Sequence, residues 1–302
     1  MKFNDLAKNH LPRTGLEGLA SAQDASASLP PGSNIRKPKL NTQHFLSLAR
    51  GAFAFTRGVH APLLAWRRVE SLRLADGATL RYDERPGRDP AILLAHGVLD
   101  DASLWAGVAD RLAAAGRRVL LPHSRGHGAS EPWRAGMDWS PRAEAADLTE
   151  LLRRAAPEGA HLVGHSRGAT ALSWIAVEEP DFARSLALVA SPPQASEAFR
   201  ARFRDRLARA RDPREAEALR YLSSIPDDDF PAESLRRWRG RALVVEAGRD
   251  PLYGPTSTLF WRAFLPFAEF ERLDDAGHDV PRERPGWLAD RLLRFVAAAE
   301  GA

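Results

Sequence analysis

Hydrophobic and polar positions alternate from residue 69 onward and then give way to longer apolar runs. The segment RRVESLRLADGATLRYDERPG has the two-residue period of half-buried strands, interrupted at Asp76-Gly77, a pair typical of a tight turn. It therefore predicts two strands joined by a hairpin. The run AILLA at 91–95 is instead continuously apolar, which is expected of a strand that is buried on both faces.

Segments with helical spacing alternate with short apolar strands along the rest of the chain. We predict helices in SLWAGVADRLAAAG, PRAEAADLTELLRRAA, ATALSWIAVEEP, TSTLFWRAFLP and RPGWLADRLLRFVAAAE, and strands in RRVLLP, AHLVG, SLALVA, RALVVEAG and AEFERLDD. Ser140 followed by Pro141 fits an N-cap and a first helical residue. This alternation predicts an α/β fold with a mostly parallel sheet.

The alternation is interrupted at about 193–240, an Arg-rich stretch with helical spacing and no strand. Its eleven arginines face nine carboxylates, so we expect most of these charges to be solvated on helix surfaces. Because the stretch lies between two sheet strands, it predicts a small helical cap inserted into the main domain, 69–302. Phe199, Phe203, Leu207, Tyr221 and Trp238 could line a pocket under this cap, or they could pack the cap onto the core.

Two N-terminal segments differ from this domain. Residues 1–43 are rich in Ser, Ala, Asn, Pro and Gly without apolar periodicity, which indicates a disordered or linker-like extension. Residues 44–68 predict a helix that packs on the main domain or on another subunit. An alternative role as a lid or at a membrane surface rests only on its apolar face with Arg50 and Arg57.

Composition and charge exclude several classes of protein. The chain has no cysteine, which rules out disulfides, thiolate catalysis and Cys-ligated metals. The net charge of +4 is the sum of +7 for residues 1–68 (ten basic against three acidic residues) and −3 for the rest (33 against 36). The basic surplus therefore lies outside the main domain and does not indicate a nucleic-acid-binding surface there. No apolar run of about 18 residues and no secretory h-region are present, so we expect a cytoplasmic protein without stable membrane insertion.

The stretch VGHSRG at 163–168 is the strongest chemical signal in the sequence. Ser166 follows a predicted strand and precedes a predicted helix, the context in which a G-x-S-x-G motif presents a nucleophilic serine on a sharp turn. Such a turn needs small neighbours, which Gly164 and Gly168 supply. Ser166 is therefore the candidate nucleophile.

A serine hydroxyl needs a base to remove its proton and an acid to orient that base. His278 follows the last predicted strand and is the candidate base, and Asp250 follows the strand before it and is the candidate acid. Three other carboxylates compete for the role of acid but lie so close to His278 in sequence that they cannot easily reach behind its ring: Asp274, Asp275 and Asp279.

An oxyanion hole requires two backbone donors. One candidate is the N–H of Arg167, directly after the nucleophile. The other is the N–H of Val98, in the loop His96-Gly97-Val98 that follows the strand AILLA. We expect His96 to shape this loop without transferring protons. Trp105, on the next helix, could be a core residue or part of the substrate wall.

These motifs resemble those of the α/β-hydrolase superfamily, in its branch of small serine esterase-like enzymes. HGVLDDASLW looks like the family's oxyanion loop, and VGHSRG looks like its nucleophile elbow. PHSRGHGAS looks like its D-x-R-G-H-G-x-S loop, with His123 in place of the usual Asp. GRDP looks like the loop that carries the acid, and AGH looks like the loop that carries the histidine. The resemblance covers roughly residues 70–300. It implies the α/β-hydrolase fold, with a mostly parallel eight-stranded sheet flanked by helices and a small helical cap.

The resemblance also bears on metals and on function. His123, His127 and His165 could be interpreted as a metal cluster, but two of them lie in loops that the family uses structurally, so we predict no metal and no cofactor. The implied function is hydrolysis of a small or medium carboxylic ester, with a small-molecule acyl substrate and no nucleic-acid partner. Alternatives are cleavage of a lactone, thioester, amide or C–C bond, a lyase, a perhydrolase or a receptor that retains the triad. A haloalkane dehalogenase would have Asp where this chain has Ser166.

Overall fold

The computed structural model describes residues 67–191, 195–226, 229–252 and 257–301 of the 302-residue chain. The predicted N-terminal extension at 1–43 lies outside these residues. So does the predicted helix at 44–68 except for its last two positions, of which Arg68 already begins the first strand.

Eight strands form one sheet in the order β1-β2-β4-β3-β5-β6-β7-β8. β1 and β2 pair antiparallel, as do β2 and β4, and all other neighbours are parallel. This confirms the predicted mostly parallel, eight-stranded α/β architecture. The strands are β1 Arg68–Arg73, β2 Thr79–Arg85, β3 Arg88–Ala95, β4 Arg117–His123, β5 Ala160–His165, β6 Ala183–Val189, β7 Arg241–Ala247 and β8 Glu269–Leu273.

The β1–β2 hairpin forms where the sequence alternation predicts it. Asp76 accepts a hydrogen bond from the Ala78 N–H through its side chain, and Gly77 takes a left-handed conformation with φ 87°. Such a conformation favours glycine because a Cβ would clash there. The turn reverses the chain so that Leu72 and Leu80, directly paired across the two strands, both point into the core.

Nine α-helices connect or flank the strands within the described residues. They are α1 Ala106–Ala114, α2 Pro141–Ala155, α3 Arg167–Glu178, α4 Glu197–Leu207, α5 Pro213–Ser223, α6 Ala232–Leu235, α7 Ser257–Phe264, α8 Val280–Glu283 and α9 Pro285–Ala299. α2 begins as predicted, because the Ser140 side chain accepts a hydrogen bond from the Ala143 N–H and Pro141 occupies the first turn. None of these helices is both long and apolar enough to span a bilayer.

Helices cover both faces of the sheet and so create two hydrophobic cores. α2 and α3 contribute Leu148 and Leu172 to the core on one face, and α1 and α9 contribute Leu112 and Phe295 to the core on the other. Trp105 is fully buried in the second core, which is the core role considered for it. Burial on both faces explains why β3 and β5 are apolar without alternation.

A third, smaller hydrophobic cluster is formed mainly by the chain segment that connects β6 to β7. Helices α4, α5 and α6 occupy this interval. The buried side chains of α4 and α5 centre on Phe199, Phe203 and Leu222, whereas Leu235 of α6 packs into the first core. Arginines on the outer surface of these helices form exposed ion pairs, for example Arg204 with Glu197. We call residues 195–226 and 229–240 the cap.

A partly buried ion pair joins the end of α9 to the N-terminal edge of the sheet. Arg117, whose side chain is 2% exposed, contacts Glu300 through two N–H groups at 2.9 and 2.5 Å. His161 also contacts the Glu300 carboxylate, at 3.4 Å, and its other ring nitrogen lies 2.8 Å from Ser185 Oγ. The pair therefore holds the C-terminal helix to β4 and β5.

Glu300→Gln should lower the free energy of unfolding at pH 7 by about 2 to 4 kcal/mol, because it leaves a buried guanidinium without a counter-charge. The hydrogen bond from Arg117 lowers the pKa of Glu300 in the folded state. The stabilisation is thus complete above the unfolded-state pKa of about 4.3 and is lost as the pH falls through the lower folded-state pKa. Urea unfolding of wild type and variant at pH 7 and pH 3 measures this difference.

Glu233→Gln is the matched control, since Glu233 pairs with Arg236 on the surface with its side chain 77% exposed. It should change the free energy of unfolding by less than about 1 kcal/mol. Equal losses in the two variants would contradict a specific contribution from the Arg117–Glu300 pair.

Candidate active site

Ser166 lies on a sharp turn between β5, which ends at His165, and α3, which begins at Arg167. Its backbone has φ 52° and ψ −123°, a conformation that non-glycine residues rarely adopt. The turn is held by hydrogen bonds from the Ser166 N–H to Val189 O at 3.0 Å and from the Ala169 N–H to Ser166 O at 3.0 Å. Strain of this kind is characteristic of a serine presented for nucleophilic attack.

The two glycines of the motif allow three chain segments to approach one another at this turn. A Cβ on Gly164 would lie 2.4 Å from Ala169 Cα, and a Cβ on Gly168 would lie 2.5 Å from His96 O. Both distances are far below van der Waals contact. Gly164 and Gly168 are therefore required by close packing, which agrees with the reason given for them from the sequence.

The structure brings His278 and Asp250 together across 28 residues of sequence. His278 Nδ1 lies 2.7 Å from Asp250 Oδ2, and the Asp250 side chain is only 2% exposed. The other oxygen of Asp250 accepts a hydrogen bond from the Leu252 N–H at 2.8 Å. An ionised Asp250 in this position favours the tautomer with a proton on Nδ1, which leaves Nε2 as the nitrogen that can accept a proton.

The three competing carboxylates contact arginines. Arg272 donates to Asp274 at 2.7 Å, Arg284 to Asp275 at 2.6 Å and Arg282 to Asp279 at 3.3 Å. Asp250, by contrast, reaches behind the His278 ring from the end of β7. Of the four candidates, the geometry supports Asp250 as the partner of the histidine.

The loop after β3 passes close to Ser166. A Cβ on Gly97 would lie 3.2 Å from Ser166 Cβ, so the absence of a side chain there lets the loop approach the nucleophile. The Leu99 N–H donates to His127 Nε2 at 3.0 Å. The Leu99 donor is therefore engaged, and Val98 is the better candidate for the second oxyanion donor.

His96 supports this loop as a neutral ring. The Ser124 N–H donates to His96 Nε2 at 3.0 Å, so the proton is on Nδ1, which donates to Gly97 O at 2.7 Å. Burial lowers the pKa of His96 below its usual range. Both ring nitrogens are thus used in holding the loop, consistent with a shaping role for His96.

A buried carboxylate that was not predicted from the sequence, Glu144 of α2, lies beside the site. Its Oε2 lies 2.9 Å from an Arg167 guanidinium nitrogen, and its Oε1 accepts a hydrogen bond from Ser124 Oγ. Both Glu144 and Arg167 are less than 10% exposed. Through Arg167 and through Ser124, this carboxylate supports both sides of the candidate oxyanion hole. The sequence contains a signal for the burial of Glu144, because this residue lies on the same face of α2 as the buried Leu148 and Leu151.

One cavity of about 260 Å³ lies beneath the cap. Its lining includes Ser166, His278, Arg167, Gly97 and Val98. Of the five cap residues proposed as pocket wall, Phe199 and Phe203 line it, whereas the others are not among its lining residues. Leu207 and Tyr221 pack beside the cap cluster and Trp238 packs against the main core. Five further residues, which were not predicted from the sequence, also line the cavity: Leu219, Leu222, Ile225, Phe230 and Leu252.

The three histidines considered as a metal cluster are not grouped together in the described part of the chain. His123 lies at the end of β4, and His127 is engaged by Leu99 and by Arg125 O. Burial lowers the pKa of both rings, that of His127 to about 2. Among the described residues, a set that could supply three ligands is His165, His278 and Asp279, with ligand atoms within 4.8 Å of one another. There His165 Nε2 already contacts His278 O at 2.9 Å, and Asp279 is paired with Arg282.

Comparison with known proteins agrees with this fold. Residues 90–222 match the family model of the alpha/beta hydrolase fold. The chain is 39% identical over 106 residues to a fluoroacetate dehalogenase of Burkholderia sp, which covers 34% of each chain. It is 36% identical over 110 residues to a pimeloyl-[acyl-carrier protein] methyl ester esterase of Aeromonas salmonicida, covering 36% of this chain and 41% of the relative. The chain thus spans well under half the length of these relatives.

Among solved structures, a thermophilic esterase from Thermogutta terrifontis matches with a TM-score of 0.65 and 19% identity, covering 78% of this chain and 99% of that one. At this identity the match supports the fold alone. Together with the family model, it confirms the predicted resemblance to the α/β-hydrolase superfamily.

Proposed function

We propose that this chain, which has the α/β-hydrolase fold, is a serine hydrolase that cleaves a small or medium carboxylic ester through an acyl-enzyme on Ser166. The observation that carries the proposal is that a strained Ser166 and the His278–Asp250 pair meet at one cavity. Each of these residues follows the carboxyl end of a parallel strand, the edge at which open α/β sheets bind ligands.

In the proposed mechanism, His278 removes the Ser166 proton as Oγ attacks the ester carbonyl carbon. The resulting oxyanion accepts hydrogen bonds from the N–H groups of Arg167 and Val98, and Asp250 stabilises the imidazolium. The tetrahedral intermediate collapses as His278 gives its proton to the departing alcohol. Water, deprotonated by His278, then attacks the acyl-enzyme, and the carboxylic acid and free Ser166 are released.

The identity of the nucleophile argues for an acyl substrate even though one relative is named a dehalogenase. A carboxylate that displaces a halide forms an ester, which water can cleave at the carbonyl. A serine that did the same would form an ether, which has no carbonyl for water to attack. Ser166 can therefore complete a catalytic cycle on an ester but not on an alkyl halide.

Fluorophosphonate labelling with peptide mapping, followed by turnover assays on p-nitrophenyl esters, tests the proposal. We expect stoichiometric modification of Ser166 and multiple turnovers on an ester of short or medium chain. Labelling without turnover on any ester would redirect the proposal to another acyl bond or to a ligand-binding protein. Failure to label Ser166 would refute the mechanism.

Glu144→Gln should lower kcat about 10- to 100-fold with little change in KM, because the buried partner that orients Arg167 and Ser124 loses its charge. The N–H of Arg167 and the loop held by His96 would then be less well placed for the oxyanion, while ground-state binding is largely preserved. Steady-state kinetics on one p-nitrophenyl ester, with thermal unfolding recorded in parallel, measures both effects.

Glu300→Gln is the matched control for this variant. It is the same substitution and also leaves a buried arginine without its carboxylate, but at the other end of the strands. We expect it to lose stability and retain kcat. Parallel losses of kcat and stability in both variants would mean that Glu144 has only a structural role.

A further inference from the structure

We infer that the substrate is a compact, uncharged ester whose larger group is hydrophobic and packs against the cap. This inference rests on the proposed function, since it concerns what the Ser166 cavity accepts. It follows from three properties of the cavity: its apolar wall, the pairing of its charged residues and its size.

The cap forms a mainly apolar wall of the cavity, in which Arg206 is the charged residue among those described. Two helices and the segment after them contribute six apolar side chains to it: Phe199, Phe203, Leu219, Leu222, Ile225 and Phe230. The Phe199 and Phe203 rings contact each other with centroids 4.6 Å apart. Val98 of the oxyanion loop packs against the same cluster, so the apolar wall extends to the candidate reaction centre.

Among the described residues, four besides His278 line the cavity and carry a charge, and each has a partner of opposite charge. Arg167 pairs with Glu144 at 2.9 Å, and Arg206 pairs with Glu215 at 2.7 Å. Asp100 and Asp279 both pair with Arg282, at 3.2 and 3.3 Å. Each of these charges is therefore already offset by a partner, which weakens its attraction for an ionised group on the substrate.

The cavity volume of about 260 Å³ lies just below the range of about 300–1,000 Å³ that is usual for drug-sized ligands. The part of a substrate that packs against this apolar wall is removed from water. Burying an ionised group there without a partner is strongly unfavourable, whereas burying alkyl or aryl surface is favourable.

Two pairs of esters that match in shape but differ in charge test the inference directly. We expect kcat/KM for p-nitrophenyl hexanoate to exceed that for the p-nitrophenyl monoester of glutaric acid by about 100-fold or more, because the latter has a carboxylate at the chain end. We expect 3,3-dimethylbutyl butyrate to be preferred over butyrylcholine, its cationic counterpart. Chain-length dependence should peak at or below about eight carbons, since longer chains exceed the cavity.

Phe230→Lys adds a cation to the wall at a half-buried position. It should lower the ratio of kcat/KM for the hexanoate ester to kcat/KM for the glutarate ester about 10-fold. Phe267→Lys is the matched control, because Phe267 is 88% exposed and is not among the residues that line the cavity. It should leave the ratio unchanged. Thermal unfolding of both variants identifies a loss of fold.

Equal or faster hydrolysis of either charged ester would overturn the inference while leaving the proposed hydrolase intact. If the glutarate ester were preferred and Arg206→Gln abolished that preference, Arg206 would be an anion-binding residue and the inference would be wrong. Absence of turnover on every ester, with Ser166 not labelled by a fluorophosphonate, would instead refute the proposed function.

Discussion

Ser166→Ala is expected to lower kcat on a p-nitrophenyl ester by about 10⁵- to 10⁶-fold, the scale of loss when a catalytic serine is removed. Without the Oγ nucleophile no acyl-enzyme can form, and only weak residual catalysis by the oxyanion donors and by binding remains. The measurement is steady-state turnover together with the amplitude of the p-nitrophenol burst. The burst reports the fraction of active sites and so exposes trace contamination by wild type.

A second substitution at the same position separates chemistry from folding. Alanine keeps the unfavourable backbone conformation of Ser166, with φ 52°, whereas glycine relieves it. We therefore expect Ser166→Gly to be as inactive as Ser166→Ala but more stable than it by about 1 kcal/mol. Substantial ester hydrolysis by either variant would exclude Ser166 as the nucleophile.

Asp250→Asn is expected to lower kcat by about 10⁴-fold, with the fold intact. The substitution preserves size and an oxygen for the Leu252 N–H, but it removes the charge that fixes the proton on His278 Nδ1 and stabilises the imidazolium. Ester hydrolysis followed across a range of pH measures the loss. Part of the activity should return at high pH, where hydroxide can replace the general base.

Asp275→Asn is the matched control for this prediction. Asp275 is three residues from His278 in sequence, but its carboxylate contacts Arg284 on the surface, and that hydrogen bond lowers the pKa of Asp275. We expect less than about a threefold change in kcat, since an exposed ion pair contributes little. A normal kcat in Asp250→Asn together with a large loss of kcat in Asp275→Asn would show that Asp275, and not Asp250, is the carboxylate that assists His278.

Local patterns in the sequence determined the secondary structure and the positions of the main motifs. The hairpin at Asp76-Gly77, the α2 N-cap at Ser140-Pro141 and the turn at Ser166 all depend on the conformations open to a few neighbouring residues. Burial on one face or two sets the apolar period of a strand. Elements of this kind can therefore be read from residues that are adjacent in the chain.

Only the tertiary structure decided which distant side chains meet. It brought Asp250 to His278, engaged the Leu99 N–H with His127, and placed Glu144 of α2 against Arg167 of α3. These contacts depend on how far each element extends and on the direction in which its side chains point once it packs.

The composition of the cavity wall was decided in the same way. Phe199 and Phe203 face the cavity, whereas the Tyr221 hydroxyl donates a hydrogen bond to Asp229 and Trp238 packs on the main core. All four side chains are aromatic and belong to the same cap, so residue type and spacing do not distinguish them. The nucleophile could be located from the sequence because its turn is local, but its partners and its pocket required the packed chain because they come from separate elements.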